Sequence, residues 1–255
     1  MKLKILLSVF LSTIVAVSGL SQDTKTRCLS VDAGIDFISG GPPEKDYIRA
    51  DRGQFFSDFP TTSLRGLFYR NYVSIKGEKT VLNNKVGLVS GIRYTRTESS
   101  IGKESYWSNS SDFFYLLLRQ EETRTDYLKV NEITQLAGYL AIPLEIRIYP
   151  YRPRAFNVYY KIGGDVNYRL HSRARTVFFN RDMKVFEDEI ENIIEKPWVF
   201  YSSFHLGVGF RIGMVDKPGV NVEIHIPVTM IRGGKQDFVT PEAGTGIQLN
   251  ARIPF

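Results

Sequence analysis

Ser203 and His205 lie two residues apart, and a serine beside a histidine is the pairing used in nucleophilic acyl transfer. Strand side chains alternate with period 2, so both would occupy one face if 198–214 is a strand. Lipid hydrolysis through this pair needs an acid within reach and access for a lipid carbonyl. His205 and His225 would face inward from neighbouring strands, about one pair out of step, with no cysteine and no third ligand to complete a metal set. Glu187, Glu191 and Glu195 fall at i, i+4 and i+8 of a short helix with Phe186, Ile190, Ile193 and Ile194 on its apolar side. That pattern reads as a solvated acidic face on a packed helix.

The elements that must position these groups are strands. Eight segments have period-2 patterning, near 29–38, 64–75, 85–97, 132–149, 156–170, 198–214, 219–231 and 244–255. In the fourth, Leu136, Leu140, Ile142, Leu144, Ile146 and Ile148 oppose Tyr139, Glu145 and Arg147. In the fifth, Phe156, Val158, Tyr160, Ile162, Val166, Tyr168 and Leu170 oppose Asn157, Lys161, Asp165 and Arg169. The seventh sets Val220, Val222, Ile224, Ile226, Val228 and Met230 against Asn221, Glu223 and His225. The last sets Ile247, Leu249, Ala251, Ile253 and Phe255 against Gly246, Gln248, Asn250 and Arg252.

The connections alternate in length. The long ones are 39–63, 98–131, 171–197 and 232–243, and the short ones are 76–84, 150–155 and 215–218. This is the scheme of a bacterial outer-membrane barrel, with long extracellular loops and short periplasmic turns. Lys2 and Lys4, the apolar run 5–17 and the small residues Ser18, Gly19 and Ser21 form a secretory signal peptide over 1–21. The expected fold is therefore all-β: an eight-stranded antiparallel up-and-down transmembrane β-barrel over 22–255. A soluble lipocalin-like barrel also has eight strands, but the leader, the sorting of loops and the terminal Phe255 favour the membrane form. The expected location is the cell outer membrane.

Removing Lys2 and Lys4 with the leader takes the formal charge from +6 to +4. So small a surplus, mixed with acids, makes no case for nucleic acid. A lone cysteine, Cys28, cannot form an internal disulfide.

With the polar face inward, the lumen fills with charges of both signs. Arg147, Lys161, Arg169, Arg211 and Arg252, with Arg70 and Arg93, would meet Glu145, Asp165 and Glu223, with Asp32 and Asp36. Buried charges persist only when paired, so an ion-pair network is expected. A turn about Lys217 would set Arg211 opposite Glu223. At the outer rim, Arg173, Arg175 and Arg181 bracket Val177-Phe178-Phe179; an ordinary charged rim is the plainer reading, and guanidinium groups there would also suit lipopolysaccharide phosphates. Phe113 and Phe114 begin the apolar run 113–118, which with 127–130 would extend a hairpin and either offer a partner contact or pack on the loops.

Tyr139-Leu140-Ala141-Ile142-Pro143-Leu144-Glu145-Ile146 resembles the "YLEIPL" signature of the PorT-like outer-membrane β-barrel family of Bacteroidota, with Ala141 where that family often has Glu. The stretch from Tyr160 to Tyr168, with Gly163 and Gly164, resembles its fifth strand, and Gly207-Val208-Gly209 its sixth. The resemblance implies insertion by the outer-membrane assembly machinery, which reads the terminal strand ending in Phe255. It also implies no catalytic residues, and some members serve protein secretion. The expected function is a non-enzymatic scaffold, accessory or surface-binding component of an envelope assembly, without cofactor or metal. The expected partners are outer-membrane lipids, lipopolysaccharide and envelope or secretion-machine proteins. The rivals are a lipid-modifying hydrolase using Ser203 and His205, and a narrow channel.

Overall fold

The computed structural model describes residues 27–41, 48–50, 66–102, 113–120, 125–150, 155–214, 217–232 and 239–255. The expected signal peptide, most of loop 39–63 and half of loop 232–243 lie outside these residues. Ten strands are described: β1 (Arg27–Gly41), β2 (Ile48–Ala50), β3 (Gly66–Val81), β4 (Val86–Ile101), β5 (Phe114–Gln120), β6 (Thr125–Ile148), β7 (Phe156–Phe178), β8 (Phe200–Ile212), β9 (Gly219–Arg232) and β10 (Thr240–Pro254). A 3-10 turn, Arg181–Phe186, leads into helix α1 (Glu187–Ile193).

Eight of the strands close a ring in the order β1-β3-β4-β6-β7-β8-β9-β10, every pair antiparallel, with β10 back on β1. Closure removes the free edges that an open sheet would present. Cross-strand partners can be followed from Ile253 through Leu29, Gly77, Ser90, Leu144, Gly164, Phe204 and Thr229. They return to β10 at Ala243, ten residues away. Eight strands with such a stagger leave an interior that side chains can fill.

Alternation sorts the two faces. On β6, Leu140, Leu144, Ile146 and Ile148 are exposed, while Glu145 and Arg147 are buried. On β10, Ile247, Leu249, Ile253 and Phe255 point out while Gln248, Asn250 and Arg252 point in. The barrel is thus apolar outside and polar inside around the whole ring.

Several boundaries differ from those read in the sequence. The expected turn 76–84 is mostly strand: β3 runs to Val81, and only 82–85 turn, with Leu82, Asn83 and Asn84 at positive φ. Asn accepts that backbone region more readily than most residues. The long connections begin and end inside strands, because β6 starts at Thr125 and β7 continues to Phe178. Bulges change parity at several places, two of them on β7 and β9. At Leu170 the ladder slips between β6 and β7, so that exposed positions then fall on His171, Arg173 and Arg175. Beside Leu206 and Thr245 the ladder slips at Ile226 and Pro227, and Val228 turns inward and becomes fully buried. Pro has no N–H for the ladder, and a bulge is where it is tolerated. Val228 and Met230 therefore do not share the outer face of Val220 and Ile224 as expected; both pack on the inner cluster of Ile38 and Phe68.

Candidate functional site

Two assemblies fill the molecule: a charged lumen within the ring and an apolar crown over its loop end. In the lumen, Arg70, Lys76, Arg93, Arg147, Lys161, Arg211 and Arg252 are all buried, as are Asp32, Asp36, Glu78, Glu145, Asp165 and Glu223. Every one comes from an inward position of its strand.

The network is layered. Toward the loop end, Asp165 accepts from Arg93 Nη1 at 2.6 Å and from Arg70 Nη1 at 3.0 Å, and Arg70 Nε donates to Asp36 at 2.6 Å. In the middle, Lys76 Nζ bridges Asp32 at 2.6 Å and Glu145 at 2.5 Å. Lys161 pairs with Glu223, and Arg147 donates to Glu223 and to Glu78, both at 2.8 Å. Toward the turn end, Arg211 Nη2 lies 3.2 Å from Glu78 and also donates to the Tyr149 hydroxyl. Tyr159 donates to Glu223 at 2.5 Å, and Tyr149 to Glu78 at 2.7 Å.

Tyrosines complete the packing where the opposing strand has glycine. A Cβ on Gly209 would overlap the Tyr159 ring, and one on Gly34 would overlap Tyr72. The Arg93 guanidinium lies 4.1 Å from the Tyr72 ring centroid, a cation–π contact. Gly209 thus gives the Gly207-Val208-Gly209 pattern a packing role.

The structure corrects several expectations. Arg211 pairs with Asn221 in the ladder and Glu223 with Gly209, so the expected Arg211–Glu223 cross-strand pair does not form. The β8–β9 register is offset by two residues, and Arg211 reaches Glu78 on a distant strand instead. Arg169 is outside the network: half-buried above the Asp165 layer, it donates to the Pro197 carbonyl. Arg252 is buried beside Cys28, with Nη2 2.9 Å from the sulfur. Lys76 and Glu78 were not anticipated because they fall in the expected turn. Their signal was present in the alternation Arg70, Tyr72, Ser74, Lys76, Glu78.

Ser203 and His205 are both buried on the lumen side. Ser203 Oγ donates to Asp165 at 2.8 Å and accepts from Arg70 at 2.6 Å. His205 stacks on His225 with ring centroids 4.6 Å apart; the two remain one inward pair out of step, and the contact is made across Gly207, the residue opposite His225. The described residues contain no cluster of three or more metal-ligating side chains. Below the crown, a cavity lined by Phe68, Gln135, Tyr139, Trp198, Tyr201 and Met230 has about the room one water needs.

The crown is built on the overhang of β6 and β7. β5 pairs with β6 as a hairpin, Phe114 opposite Val130, and β2 pairs with β5. Its core joins Ile48, Ile101, Phe114, Leu116, Leu128, Val130, Ile133, Ile190, Ile194 and Val239. Phe114 is 1 % exposed, so it holds the crown together and offers no partner contact. Phe113 is half-buried, with Tyr115 and Phe179 around the Lys129 ammonium, which lies 4.6 Å from the Phe113 ring centroid. α1 is held by Ile190 and by an exposed pair, Arg119 to Glu189 at 2.9 Å. Glu191 is exposed, whereas Glu187 and Glu195 are half-buried. Arg173, Arg175 and Arg181 are exposed, and so is Phe255, whose amide donates to the Arg27 carbonyl at 2.9 Å.

The fold and site together define the class: an all-β, closed up-and-down barrel with a charged lumen and an apolar exterior. No family model matches the chain, and no curated protein matches it.

Proposed function

We propose that the chain is an integral outer-membrane β-barrel that acts without catalysis, as a scaffold or surface-binding component of an envelope assembly presented through its crown. The observation that carries this reading is the inverted polarity of the closed ring. Large aliphatic side chains are exposed on every strand of the ring while thirteen named charged groups are buried inside. In water this arrangement forgoes much of the ~1.5–3 kcal/mol that burial of each Leu or Ile provides, and contiguous apolar surface of this extent is foreign to soluble monomers.

The dimensions agree. From Leu140 to Ile148 the outward apolar run rises about 27 Å along the strand, or about 20 Å along the axis at the usual tilt. That approaches the apolar band of about 25 Å seen on such barrels. Aromatic pairs stand near strand ends, with Phe37 on Tyr69 and Tyr168 on Phe200 at the loop end and Phe156 on Phe210 at the turn end. The short turns would then face the periplasm and the crown the exterior. The likeness to PorT-like barrels, carried by the strands around Pro143, Gly163 and Gly209, supports the same assignment.

Interaction is favoured over transport because the ion-pair layers occupy the lumen and the crown covers one mouth. It is favoured over hydrolysis because Ser203 is engaged by Asp165 and Arg70, on the side of the wall away from lipid. The test is fractionation of cells, carbonate washing of the membranes and a heat-modifiability gel. Retention in the outer-membrane pellet with a faster unboiled band is expected. A soluble product with no mobility shift contradicts the reading.

A further inference from the structure

The outer face of β7 changes character at Leu170. Val166, Tyr168 and Leu170 are exposed and apolar; directly above them His171, Arg173 and Arg175 are exposed and basic. The bulge at Leu170 makes this possible, since it moves odd-numbered residues to the outside. On β4 the same change occurs between Tyr94 and Arg96, both exposed. Arg96 and His171 lie in one row across the sheet, each paired with Gly138 of β6.

Gly138 makes the row into a niche. A Cβ there would overlap the His171 imidazole and stand 2.8 Å from the Tyr94 hydroxyl. Its absence lets the His171 ring lie across β6, where Nε2 meets the Tyr94 hydroxyl at 3.3 Å. Strand spacing puts Arg96 and His171 about 10 Å apart at the backbone, with Arg173 about 7 Å further up β7. Side chains as long as arginine can span gaps of this size, so these positions are close enough to share one or two phosphate groups.

Arg96, Arg173 and Arg175 have no ion pair or hydrogen bond among the described residues, whereas exposed Arg119 is held by Glu189. Two acids share the face, Glu98 and Glu132, and Glu132 accepts from the Thr134 hydroxyl at 2.5 Å. The bases still predominate. These arginines stand directly above an apolar wall and two tyrosines, at the depth of headgroup phosphates, and the guanidinium fork matches phosphate oxygens.

We infer that Arg96, His171, Arg173 and Arg175, arranged around Gly138, bind the phosphate groups of an anionic glycolipid in the leaflet on the crown side. This deepens the membrane reading and rests on it. The full chain is refolded into phosphatidylcholine vesicles with and without diphosphoryl lipid A, and lipid retained through mild detergent extraction is counted by mass spectrometry. Wild-type protein is expected to retain lipid A but not its dephosphorylated form. Retention should be salt-sensitive and undisturbed by inorganic phosphate.

The Arg96→Gln/Arg173→Gln variant should retain it at least about tenfold less well. Gly138→Ala, which displaces His171 and leaves both arginines in place, should also weaken it. Arg27→Gln, at the opposite end of the barrel, should match wild type. Equal retention by the double variant, equal retention of dephosphorylated lipid, or displacement by inorganic phosphate alone overturns the lipid site while a heat-modifiable band still upholds the barrel. Failure to insert into either vesicle overturns the barrel reading and the lipid site with it.

Discussion

Glu223 receives Arg147, Lys161 and Tyr159 at once, and none of these has a route to solvent. Removing one member of such a buried set leaves its partners charged and unpaired, which typically costs about 3–5 kcal/mol. Glu223→Gln should therefore lower the urea midpoint of vesicle-inserted protein by that order, read by tryptophan fluorescence; an unchanged midpoint would mean the network is wetter than its burial implies. Gly209→Ala should act through packing, because a Cβ there overlaps the Tyr159 ring. Overpacking of this kind costs about 1–3 kcal/mol, and the same titration measures it. The residues of this network were largely legible in sequence as charges on one strand face. Their partners were not. Alternation gives the face of a side chain but not the vertical register between strands distant in sequence. Arg211 was therefore set against Glu223 when it reaches Glu78.

At the scale of elements, the crown and the barrel have separate cores. Phe114 from β5 and Ile190 from α1 meet in an apolar cluster that shares no ion pair with the lumen layers. Truncating a buried aromatic typically costs about 3–5 kcal/mol, enough to open the crown without unfolding the ring. Phe114→Ala should let added protease cut within the loop segments while the trimmed barrel keeps its unboiled gel mobility. Resistance equal to wild type would show that the crown does not depend on this core. The strands were legible as far as their alternation was regular. The bulges at Leu170 and at Ile226 and Pro227 reverse parity within an otherwise regular alternation, which hides the inward turn of Val228; the contact between His205 and His225 depends instead on the bare Gly207 between them. On sequence alone the overhangs of β6 and β7 read as loop, because their inner faces switch from polar to apolar on entering the crown.

For the whole molecule, a ring of eight strands has no width to spare, and its named inward charges are ion-paired or packed. Planar bilayers with inserted protein should show no sustained open-channel steps; large ohmic conductance would contradict the sealed lumen. The most direct measurement of the central claim concerns the outer wall. Spin labels are attached to cysteines placed singly at Leu144, Val166 and Leu249, in a Cys28→Ser background, in vesicle-reconstituted protein. Their collision rates with oxygen and with a water-soluble nickel chelate are then compared with a label at Glu191 on the crown. High oxygen and low nickel accessibility at the three wall sites, reversed at Glu191, is the expected result. Nickel accessibility at the wall equal to that at Glu191 would mean that these side chains face water, and would contradict a membrane-spanning barrel.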